Sequence, residues 1–542
     1  MRPPPTCTTR WISLRAAVNI TGDPTGQTQT TANIGFGYDA AGNRTSMTDG
    51  LGSVSYVYDT ISRLESETRT FTGVAGTFKL DYAYNLAGEV TSVTGPSQFG
   101  SVNIGYSYDA IGRPTGVTGA NYAGGTSYVS NITYRAFGMK QMSYSNAKTL
   151  SLQYDNRMRV TSWNVPGALG WNYAYNYFGE NTGRATFASN LTSGAAGRDA
   201  SLDRSYDYDH LGRLLAAYTG TSALAHTGQG STWGSEGPYA QDYGYDVWGN
   251  ITHRGGWGGV GRNENLSYTN NRQAGMAYDA AGNLVDGTWY TFSYDATGQQ
   301  TRAACPGYVL DQWYDGDRLR GKKVDNGSTT YYLRSSVLGG QVVAELNGSG
   351  AWSRGYVYLG GQMVALQGGT GGAVSWVHQD PVTKSQRITD SSGNVVSTVD
   401  LDPFGGDTSR NSNAAFQPHR YTSYERDVNG ADDAMMRRYN RYWARFDQPD
   451  PYDGSYNSTN PQSFNRYAYV QNDPVNFVDP SGLNIAFGGG GGETHCWFTH
   501  GYMNDVNTLL SAHCMTIGGG FTGDPGGPGG LSDMGKLHTH MA

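Results

Sequence analysis

One short pattern recurs along the chain and restricts its fold more than any other feature. The pattern is Tyr-x-Tyr-Asp-x-x-Gly followed by Arg or Asn, and some copies have Asn in place of Asp. The complete and degenerate copies contain Asp39, Asp59, Asn85, Asp109, Asn176, Asp209, Asp246, Asp279, Asp295 and Asp315. Repetition of one short unit predicts a repetitive architecture.

Each copy predicts one β-hairpin. The two tyrosines alternate along the strand, so both lie on the same face. Asp begins a turn by accepting hydrogen bonds from backbone amides two residues on. Gly, three residues later, takes the positive φ that the turn needs. We expect this conformation at Gly112, Gly212 and Gly282 in particular.

A single hairpin is marginally stable in water, so we expect the hairpins to pair into a long antiparallel sheet. A sheet of that length must curl or close to hide its edges. A β-propeller or a flat sandwich is the alternative, but propeller blades recur at a steadier period of about 40–50 residues. We therefore predict an all-β protein with almost no helix before residue 480.

Composition narrows the class of protein. Charged residues are 15% of the chain, against roughly 25% in typical domains. A net charge of -7 and a pI of about 5.8 argue against a nucleic-acid-binding surface. The sequence contains no run of 18 apolar residues, so it predicts no membrane span. No signal peptide is recognisable. The four cysteines contain no CxxC pair and predict no disulfide framework; they are Cys7, Cys305, Cys496 and Cys514.

The repeats resemble the YD repeats of the RHS/YD-repeat family, which includes rearrangement hot spot, toxin-complex and teneurin proteins. The resemblance covers residues 34–320. It implies a spiralling antiparallel sheet of YD-repeat hairpins that forms a hollow or partial shell, closed by a C-terminal core plug. It also implies a protein that is secreted or lies at the cell surface. We expect the shell to occupy residues 1–355 and to be part of a longer repeat array.

The next segment, residues 356–483, resembles the family's RHS repeat-associated core domain. Its landmarks are residues 356–361, 389–396, 402–405 and 421–427. Residues 431–446 have a helix-friendly composition, but the family pattern predicts strands there. We call residues 437–483 the plug, because this stretch ends the β-structure and precedes a tail of different composition, residues 484–542.

Two Asp-Pro motifs in the plug carry the candidate chemistry. They are Asp450-Pro451 and Asp479-Pro480-Ser481-Gly482-Leu483. In the family, such a pair cuts the chain after the final Leu as an aspartyl-protease-like dyad. The resemblance implies that Asp450 and Asp479 are catalytic, that Arg445 is an orienting charge and that the cut bond joins Leu483 to Asn484.

The chemistry needs two carboxylates, because two that lie close together do not both ionise easily. One keeps a proton and acts as an acid, and the other accepts a proton from water. The enzyme would be at most a single-turnover, self-cleaving aspartyl protease. The alternative is that both Asp-Pro pairs only begin turns.

The tail predicts little ordered structure. Glycine-rich runs lie at 488–492 and 523–530, and residues 506–510 predict one short helix. A zinc site would staple such a segment, but adjacent His-Cys pairs are poorly spaced for chelation. We therefore expect no metal and no cofactor, although the tail contains His495, Cys496, His500, His513, Cys514, His538 and His540.

These observations favour an RHS-type shell that encloses its own C-terminal polypeptide, a toxin-like passenger in bacterial competition, and releases it by autoproteolysis after Leu483. A secretion apparatus and an immunity protein are the expected partners. The alternative is a surface repeat protein without catalysis, which binds carbohydrate or mediates adhesion through Tyr and Trp side chains. A third interpretation is an incomplete product with neither activity.

Overall fold

A computed structural model gives the fold. It describes residues 12–14, 32–100, 102–120, 127–191, 199–226, 237–258, 263–369, 372–452, 455–458, 460–483, 485–487, 493–503 and 506–517. Within these ranges, no helix is long and apolar enough to cross a membrane.

The first sheet is an uninterrupted antiparallel meander of 20 strands, each paired with the next along the chain. The strands are β1 (Ile12–Leu14), β2 (Ile34–Tyr38), β3 (Arg44–Asp49), β4 (Gly52–Tyr58), β5 (Leu64–Phe71), β6 (Phe78–Tyr84), β7 (Val90–Thr94), β8 (Asn103–Tyr108), β9 (Pro114–Ala120), β10 (Ser127–Arg135), β11 (Gly138–Tyr144), β12 (Thr149–Tyr154), β13 (Val160–Val165), β14 (Leu169–Tyr175), β15 (Ala185–Asn190), β16 (Arg204–Tyr208), β17 (Leu214–Thr219), β18 (Tyr239–Tyr245), β19 (Ile251–Gly258) and β20 (Glu264–Asn265).

A short ribbon, β21 (Tyr268–Thr269) and β22 (Arg272–Gln273), leads to a second meander of 13 strands. Its strands are β23 (Ala277–Tyr278), β24 (Leu284–Asp286), β25 (Thr291–Tyr294), β26 (Gln300–Cys305), β27 (Tyr308–Tyr314), β28 (Arg320–Asp325), β29 (Ser328–Ser335), β30 (Gln341–Asn347), β31 (Trp352–Leu359), β32 (Gln362–Gly368), β33 (Val374–Gln379), β34 (Gln386–Thr389) and β35 (Val395–Val399).

The C-terminal part contains short strands. A four-stranded sheet comprises β36 (Glu425–Arg426), β37 (Ala431–Asp433), β38 (Arg438–Asn440) and β39 (Arg445–Phe446). Two hairpins follow, β40 (Phe477–Val478) with β41 (Ala486–Phe487), and β42 (Glu493–Met503) with β43 (Val506–Ile517). The described helices are α1 (Gly220–His226) and 3₁₀ turns at Ser97–Phe99, Ala200–Leu202, Ala414–Phe416, Tyr421–Ser423, Pro461–Phe464 and Val470–Asn472.

This architecture confirms the predicted all-β fold, including the strands over residues 431–446. The helix predicted over residues 506–510 is wrong, because β43 runs through it. β-Branched residues such as Val506 and Thr508 favour an extended backbone, and pairing with β42 supplies the backbone hydrogen bonds. The division at residue 355 stays a prediction, and strand β31 runs across it.

The predicted turn geometry is confirmed. At Asp59, Oδ1 accepts hydrogen bonds from the amides of Ile61 at 3.0 Å and Arg63 at 2.9 Å, and Oδ2 accepts from Arg63 Nε at 2.7 Å. The glycines of three such turns have φ of +83° at Gly112, +79° at Gly212 and +92° at Gly282. We call each of these five-residue turns, which begin with Asp or Asn, an Asx turn.

Further Asx turns occur where the sequence pattern is incomplete. They begin at Asp155, Asn347, Asp390 and Asp402. At some turns a residue other than glycine takes the positive φ. Ser62, Met158 and Arg318 have φ of +63°, +64° and +67°. The Asp side chain therefore defines the turn more strictly than glycine does.

Tyrosine hydroxyls join many of the hairpins to the preceding one. The tyrosine just before an Asx turn donates a hydrogen bond to a backbone carbonyl at the start of the preceding return strand. Tyr84, for example, donates to the Leu64 carbonyl at 2.7 Å. The same bond is made by Tyr58, Tyr108, Tyr154, Tyr208, Tyr245 and Tyr314, and also by Tyr134, Tyr175 and Tyr358, which precede connections of other kinds.

Turn arginines reinforce this contact by stacking on the tyrosine of a following hairpin. The Arg63 guanidinium lies 4.9 Å from the Tyr84 ring centre, and Arg113 lies 4.5 Å from that of Tyr134. A cation over an aromatic face is attracted by the ring's quadrupole. The repeat therefore encodes both the hairpin and its attachment to the next hairpin.

The two large sheets pack against each other through buried apolar side chains. Phe71 of the first sheet contacts Tyr331 of the second, with ring centres 4.9 Å apart. Trp376 Nε1 of the second sheet donates to the Tyr128 carbonyl at 2.9 Å. Burial of such large rings is the main favourable contribution to folding.

A buried ion cluster attaches the second sheet to strands β36–β38. Arg320 contacts Glu425 at 2.7 Å and Asp427 at 2.6 Å. Lys323 pairs with the same two carboxylates, and Arg438 pairs with Asp427 at 2.6 Å. Burial alone would raise the pKa of Glu425, but Arg320 and Lys323 hold it well below its usual value.

Gly88 and Met158 occupy equivalent positions in their turns, and substitutions at these two positions should change the free energy of unfolding in opposite directions. Gly88 has φ of +87° and open space around its missing Cβ, so Gly88→Ala should cost about 1–2 kcal/mol from backbone strain alone. Met158→Gly should relieve the same strain and raise stability. Urea midpoints measure both changes, and Gly88→Asn is the control because Asn tolerates this backbone region. An unchanged midpoint for Gly88→Ala would refute the strain.

The tyrosine bond can be removed without changing the packed ring. Tyr84→Phe should lower stability by about 0.5–1.5 kcal/mol, because the Leu64 carbonyl loses its donor. Tyr38→Phe is the matched control, since Tyr38 occupies the same position in its unit and is 39% exposed. Thermal denaturation followed by circular dichroism makes the comparison. Equal melting temperatures for the two variants would show that the hydroxyl contributes nothing.

Candidate active site

Arg437 joins the two aspartates that the Asp-Pro motifs single out. Its Nη2 atom lies 3.1 Å from Oδ2 of Asp450 and 3.3 Å from Oδ2 of Asp479. All three side chains are buried. The structure therefore places the two predicted catalytic carboxylates on a single guanidinium nitrogen.

Backbone contacts fix Asp450. Its amide donates to the Arg466 carbonyl at 2.9 Å, and Arg466 Nη1 donates to the Asp450 carbonyl at 2.9 Å. The Asp450 Oδ1 atom accepts from the Tyr452 amide at 2.9 Å. Oδ2 is the oxygen that faces Arg437.

Asp479 begins another Asx turn. Its Oδ1 atom accepts from the Leu483 amide at 3.0 Å, and Gly482 has φ of +73°. A Cβ on Gly482 would lie 2.7 Å from the Ala434 carbonyl oxygen. Tyr424 donates its hydroxyl hydrogen to the Asp479 carbonyl. Asp479 can therefore hold the turn and also take part in chemistry, since Oδ1 accepts the turn bond and Oδ2 faces Arg437.

The peptide that leads to Leu483 lies along residues 434–437. The Met436 amide donates to the Ser481 carbonyl at 3.1 Å, and Arg437 Nε donates to the Gly482 carbonyl. The Arg437 guanidinium stacks 3.6 Å from the Phe446 ring centre. Leu483 is partly exposed, and Asn484 lies outside the described residues.

Arg445 lies elsewhere in the plug. It donates to the Asn271 carbonyl at 2.5 Å and stacks on the rings of Tyr268 and Tyr467. The family resemblance implied Arg445 as the orienting charge, and that role stays a prediction; no sequence pattern singled out Arg437. The pattern around Arg437 contained no signal for that contact, which depends on the turn at 479–483 folding back onto residues 434–437.

Burial sets the protonation of the site. It raises the pKa of Asp450, while the positive charge of Arg437 opposes that rise. Asp450 therefore keeps its proton to a higher pH than an exposed aspartate. A guanidinium between two carboxylates also reduces their mutual repulsion. The arrangement suits one protonated and one ionised carboxyl beside a fixed peptide.

A cavity lies beside the turn at Asp479. Its volume is about 90 Å³, and Val478 and Pro480, the neighbours of Asp479, line it together with Lys384, His419 and Glu425. That volume is well above the roughly 10–15 Å³ that a single water molecule needs. Among the described residues, no group of three or more His, Cys, Asp or Glu is arranged to hold a metal ion; the tail histidines have no described side-chain positions.

A search of protein-family profiles finds no match to this chain. Among curated proteins, the tRNA3(Ser)-specific nuclease WapA of Bacillus spizizenii is 27% identical over 220 residues. That alignment covers 38% of this chain and 9% of the nuclease.

Solved structures give a broader match. The TcdB2-TccC3-Cdc42 structure superposes with a TM-score of 0.67 at 16% identity, covering 84% of this chain and 26% of that one. The Photorhabdus luminescens Tc holotoxin pore, solved with a TccC3 mutation, gives 0.64 at 15% identity, with 84% and 25% coverage. This chain therefore spans about a quarter of the length of those chains and shares the fold of the part that it matches.

A buried carboxyl next to the site predicts a pH dependence of stability. Burial raises the pKa of Asp447 to about 6, so the folded chain holds a proton there that the unfolded chain has lost. The free energy of unfolding should therefore decrease as the pH rises from about 4 to about 6, by on the order of 2–3 kcal/mol. Asn has no such proton to lose, so Asp447→Asn should not show this decrease. The urea midpoint of the variant should therefore exceed that of wild type by more at pH 7 than at pH 4. A difference independent of pH would contradict the buried proton.

Proposed function

We propose that this chain is an RHS-type shell segment that encloses a C-terminal polypeptide, residues 484–542, and releases it by one self-cleavage after Leu483. The observation that carries the proposal is the set of contacts made by Arg437. One guanidinium binds Asp450, Asp479 and the Gly482 carbonyl next to the bond to be cut.

The proposed reaction is hydrolysis of the Leu483–Asn484 peptide bond. Asp479, ionised beside Arg437, takes a proton from a water molecule, whose oxygen bonds to the Leu483 carbonyl carbon. Asp450, protonated, donates a hydrogen bond and then a proton as the C–N bond breaks. The products are a carboxylate at Leu483 and an amine at Asn484.

Arg437 would act by position and by charge. Its bond to the Gly482 carbonyl fixes the peptide one residue before the cut, which lowers the entropic cost of reaching the reactive geometry. Its positive charge favours a carboxylate beside it, while burial raises the pKa of Asp450. A fixed charge in a water-poor site stabilises developing charge more than it would in water.

The shell interpretation is favoured over adhesion or carbohydrate binding by how the tyrosines are used. The tyrosines that precede the Asx turns donate their hydroxyls within the sheets, as Tyr108 and Tyr208 do. An adhesive surface would leave such rings exposed for a ligand. The proposal places the protein outside the cell, and it makes the tail, a secretion apparatus and an immunity protein its partners.

Removal of either carboxyl should stop cleavage. Asp450→Asn and Asp479→Asn should both leave the chain at 58.4 kDa, whereas wild type should lose the mass of residues 484–542. Intact-mass spectrometry after folding reads the result. Asp402→Asn is the matched control, because Asp402-Pro403-Phe404-Gly405 forms the same turn elsewhere, where the Asp402 Oδ2 atom accepts from Gln241 Nε2 at 3.2 Å. An intact wild-type chain would refute the proposal.

Substitution of Arg437 and of Arg445 tests which of the two arginines orients the catalytic carboxylates. Arg437→Gln should slow cleavage at least a hundred-fold, because one donor aimed at developing charge is worth about that much. Arg445→Gln should leave the rate within a few-fold of wild type. The opposite order of rates would assign the orienting charge to Arg445. Cleavage by the wild type should also slow as the pH rises, since Asp450 must carry a proton.

A further inference from the structure

The hairpin of β42 and β43 places two cysteines directly opposite each other. Cys496 in β42 is the register partner of Cys514 in β43. Opposite residues of an antiparallel pair have Cα atoms about 4.5 or 5.5 Å apart, depending on the type of pair. Disulfides join cysteines whose Cα atoms are about 4.4–6.8 Å apart. Either type of pair therefore allows a disulfide at this position with at most a small adjustment of the backbone.

The register around the two cysteines is regular. The pairing runs without a shift from Glu493 opposite Ile517 to Thr499 opposite Ser511, and the shift in this hairpin comes after Thr499. Opposite residues of a regular antiparallel ladder lie on the same face of the sheet. A slip of one residue would move one cysteine to the other face. The pairing of the cysteines is therefore a specific consequence of this register.

The same register separates the cysteines from the nearby histidines. Successive residues of a strand lie on opposite faces. His495 and His513 are each adjacent to a cysteine, so both lie on the face that the cysteines do not occupy. His500 is four residues from Cys496, which is about 13 Å along a strand. Zinc ligands must all lie within about 2.0–2.3 Å of one ion, so this arrangement favours a bond between the two sulfurs over a mixed Cys and His metal site.

Cys305 has no cysteine opposite it. It ends β26, where its register partner is Tyr308 of β27, and it is a free thiol. Among the cysteines whose backbone the structure describes, Cys496 and Cys514 are therefore the two that strand pairing brings together. Their spacing along the chain did not predict this pair, because the pairing depends on how the hairpin is registered.

The hairpin has a physical need for a covalent link. β42 and β43 pair with each other and with no other strand of the described residues. An isolated two-stranded hairpin is at best marginally stable in water. The glycine-rich runs at 488–492 and 523–530 add no core, and segments with so small a core usually depend on disulfides or metals. A bond between the strands would restrict the unfolded conformations of residues 496–514 and so stabilise the hairpin.

We propose that Cys496 and Cys514 form a disulfide that closes the β42–β43 hairpin in an oxidising medium. The oxidant is a small disulfide such as oxidised glutathione. One cysteine thiolate attacks a sulfur of that disulfide and displaces one glutathione thiolate. The other cysteine thiolate then attacks the mixed disulfide, forms the bond between Cys496 and Cys514, and displaces the glutathione thiolate that remains. The two cysteines lose two electrons and two protons, and the oxidised glutathione becomes two thiols.

The bond forms whether or not the chain cleaves itself, because both cysteines lie in the tail. A location outside the cell, as proposed above, supplies an oxidising medium. Excess reduced glutathione reverses the exchange and opens the hairpin again. The tail would therefore be closed by a covalent bond outside the cell and open in a reducing compartment.

Peptide mapping of the full chain tests the bond. The reduced protein is equilibrated with oxidised glutathione, alkylated, and digested without reductant by a protease that cuts before Asp. Asp505 lies between the two cysteines, so the digest puts them on separate peptides. Mass spectrometry should find these two peptides joined, and reduction should separate them. Cys514→Ser should abolish the joined species, whereas Cys305→Ser should leave it unchanged.

A shifted cysteine tests the register. The double variant Cys514→Ser, His513→Cys moves the second thiol by one residue, to the other face of the hairpin. The ratio of oxidised to reduced protein in a series of glutathione buffers gives the effective concentration of one thiol at the other. This effective concentration should be at least ten-fold lower in the double variant than in wild type.

Several outcomes would overturn the proposal. Equal effective concentrations in the two proteins would do so, since thiols on an unstructured chain would meet equally well at either position. Separate peptides after oxidation, or a bond from either cysteine to Cys7 or Cys305, would also contradict it. Zinc ions that block alkylation of both cysteines in the reduced chain, and fail to do so in His513→Ala, would assign the cysteines to a metal site instead.

Discussion

The bond between an Asp side chain and the amides of its own turn is the interaction on which the rest of the structure depends. It closes each hairpin locally, since Asp59 bonds the amides of Ile61 and Arg63 within five residues. A hairpin closed this way still needs neighbours. The tyrosine before the turn supplies the attachment, as Tyr58 does by donating to the Arg44 carbonyl at 3.0 Å.

The same turn recurs at the candidate site, where it has a second consequence. At Asp479 it fixes Gly482 and Leu483 against residues 434–437, and the oxygen it does not use faces Arg437. The buried ion cluster of Arg320, Glu425 and Asp427 holds the adjoining strands to the second sheet. Loss of one partner from such a cluster typically costs about 3–5 kcal/mol. The proposed site therefore uses the same turn that closes the hairpins of the two large sheets.

Local features of the fold were predictable from the sequence, and long-range features were not. The Asx turns need only residues within one turn, so the pattern predicted the hairpins and the positive φ at Gly112. The turn at Asp155 was not recognised; Met158 takes the positive φ there, as Ser62 and Arg318 do in two turns that the pattern included. The role of Arg437 was not predicted, because its contact partners Asp450 and Asp479 lie more than ten residues away along the chain. The helix predicted over 506–510 failed because strand pairing overrode local propensity.

The measurement that tests the central claim most directly is the isotopic composition of the new carboxyl terminus. The chain is folded in water enriched in ¹⁸O, and the peptide ending at Leu483 is identified by tandem mass spectrometry. Hydrolysis by a water molecule activated at Asp479 predicts one ¹⁸O atom in the Leu483 carboxylate and a released fragment that begins at Asn484. A fragment that begins at another residue, or a Leu483 carboxylate without the label, would contradict the account.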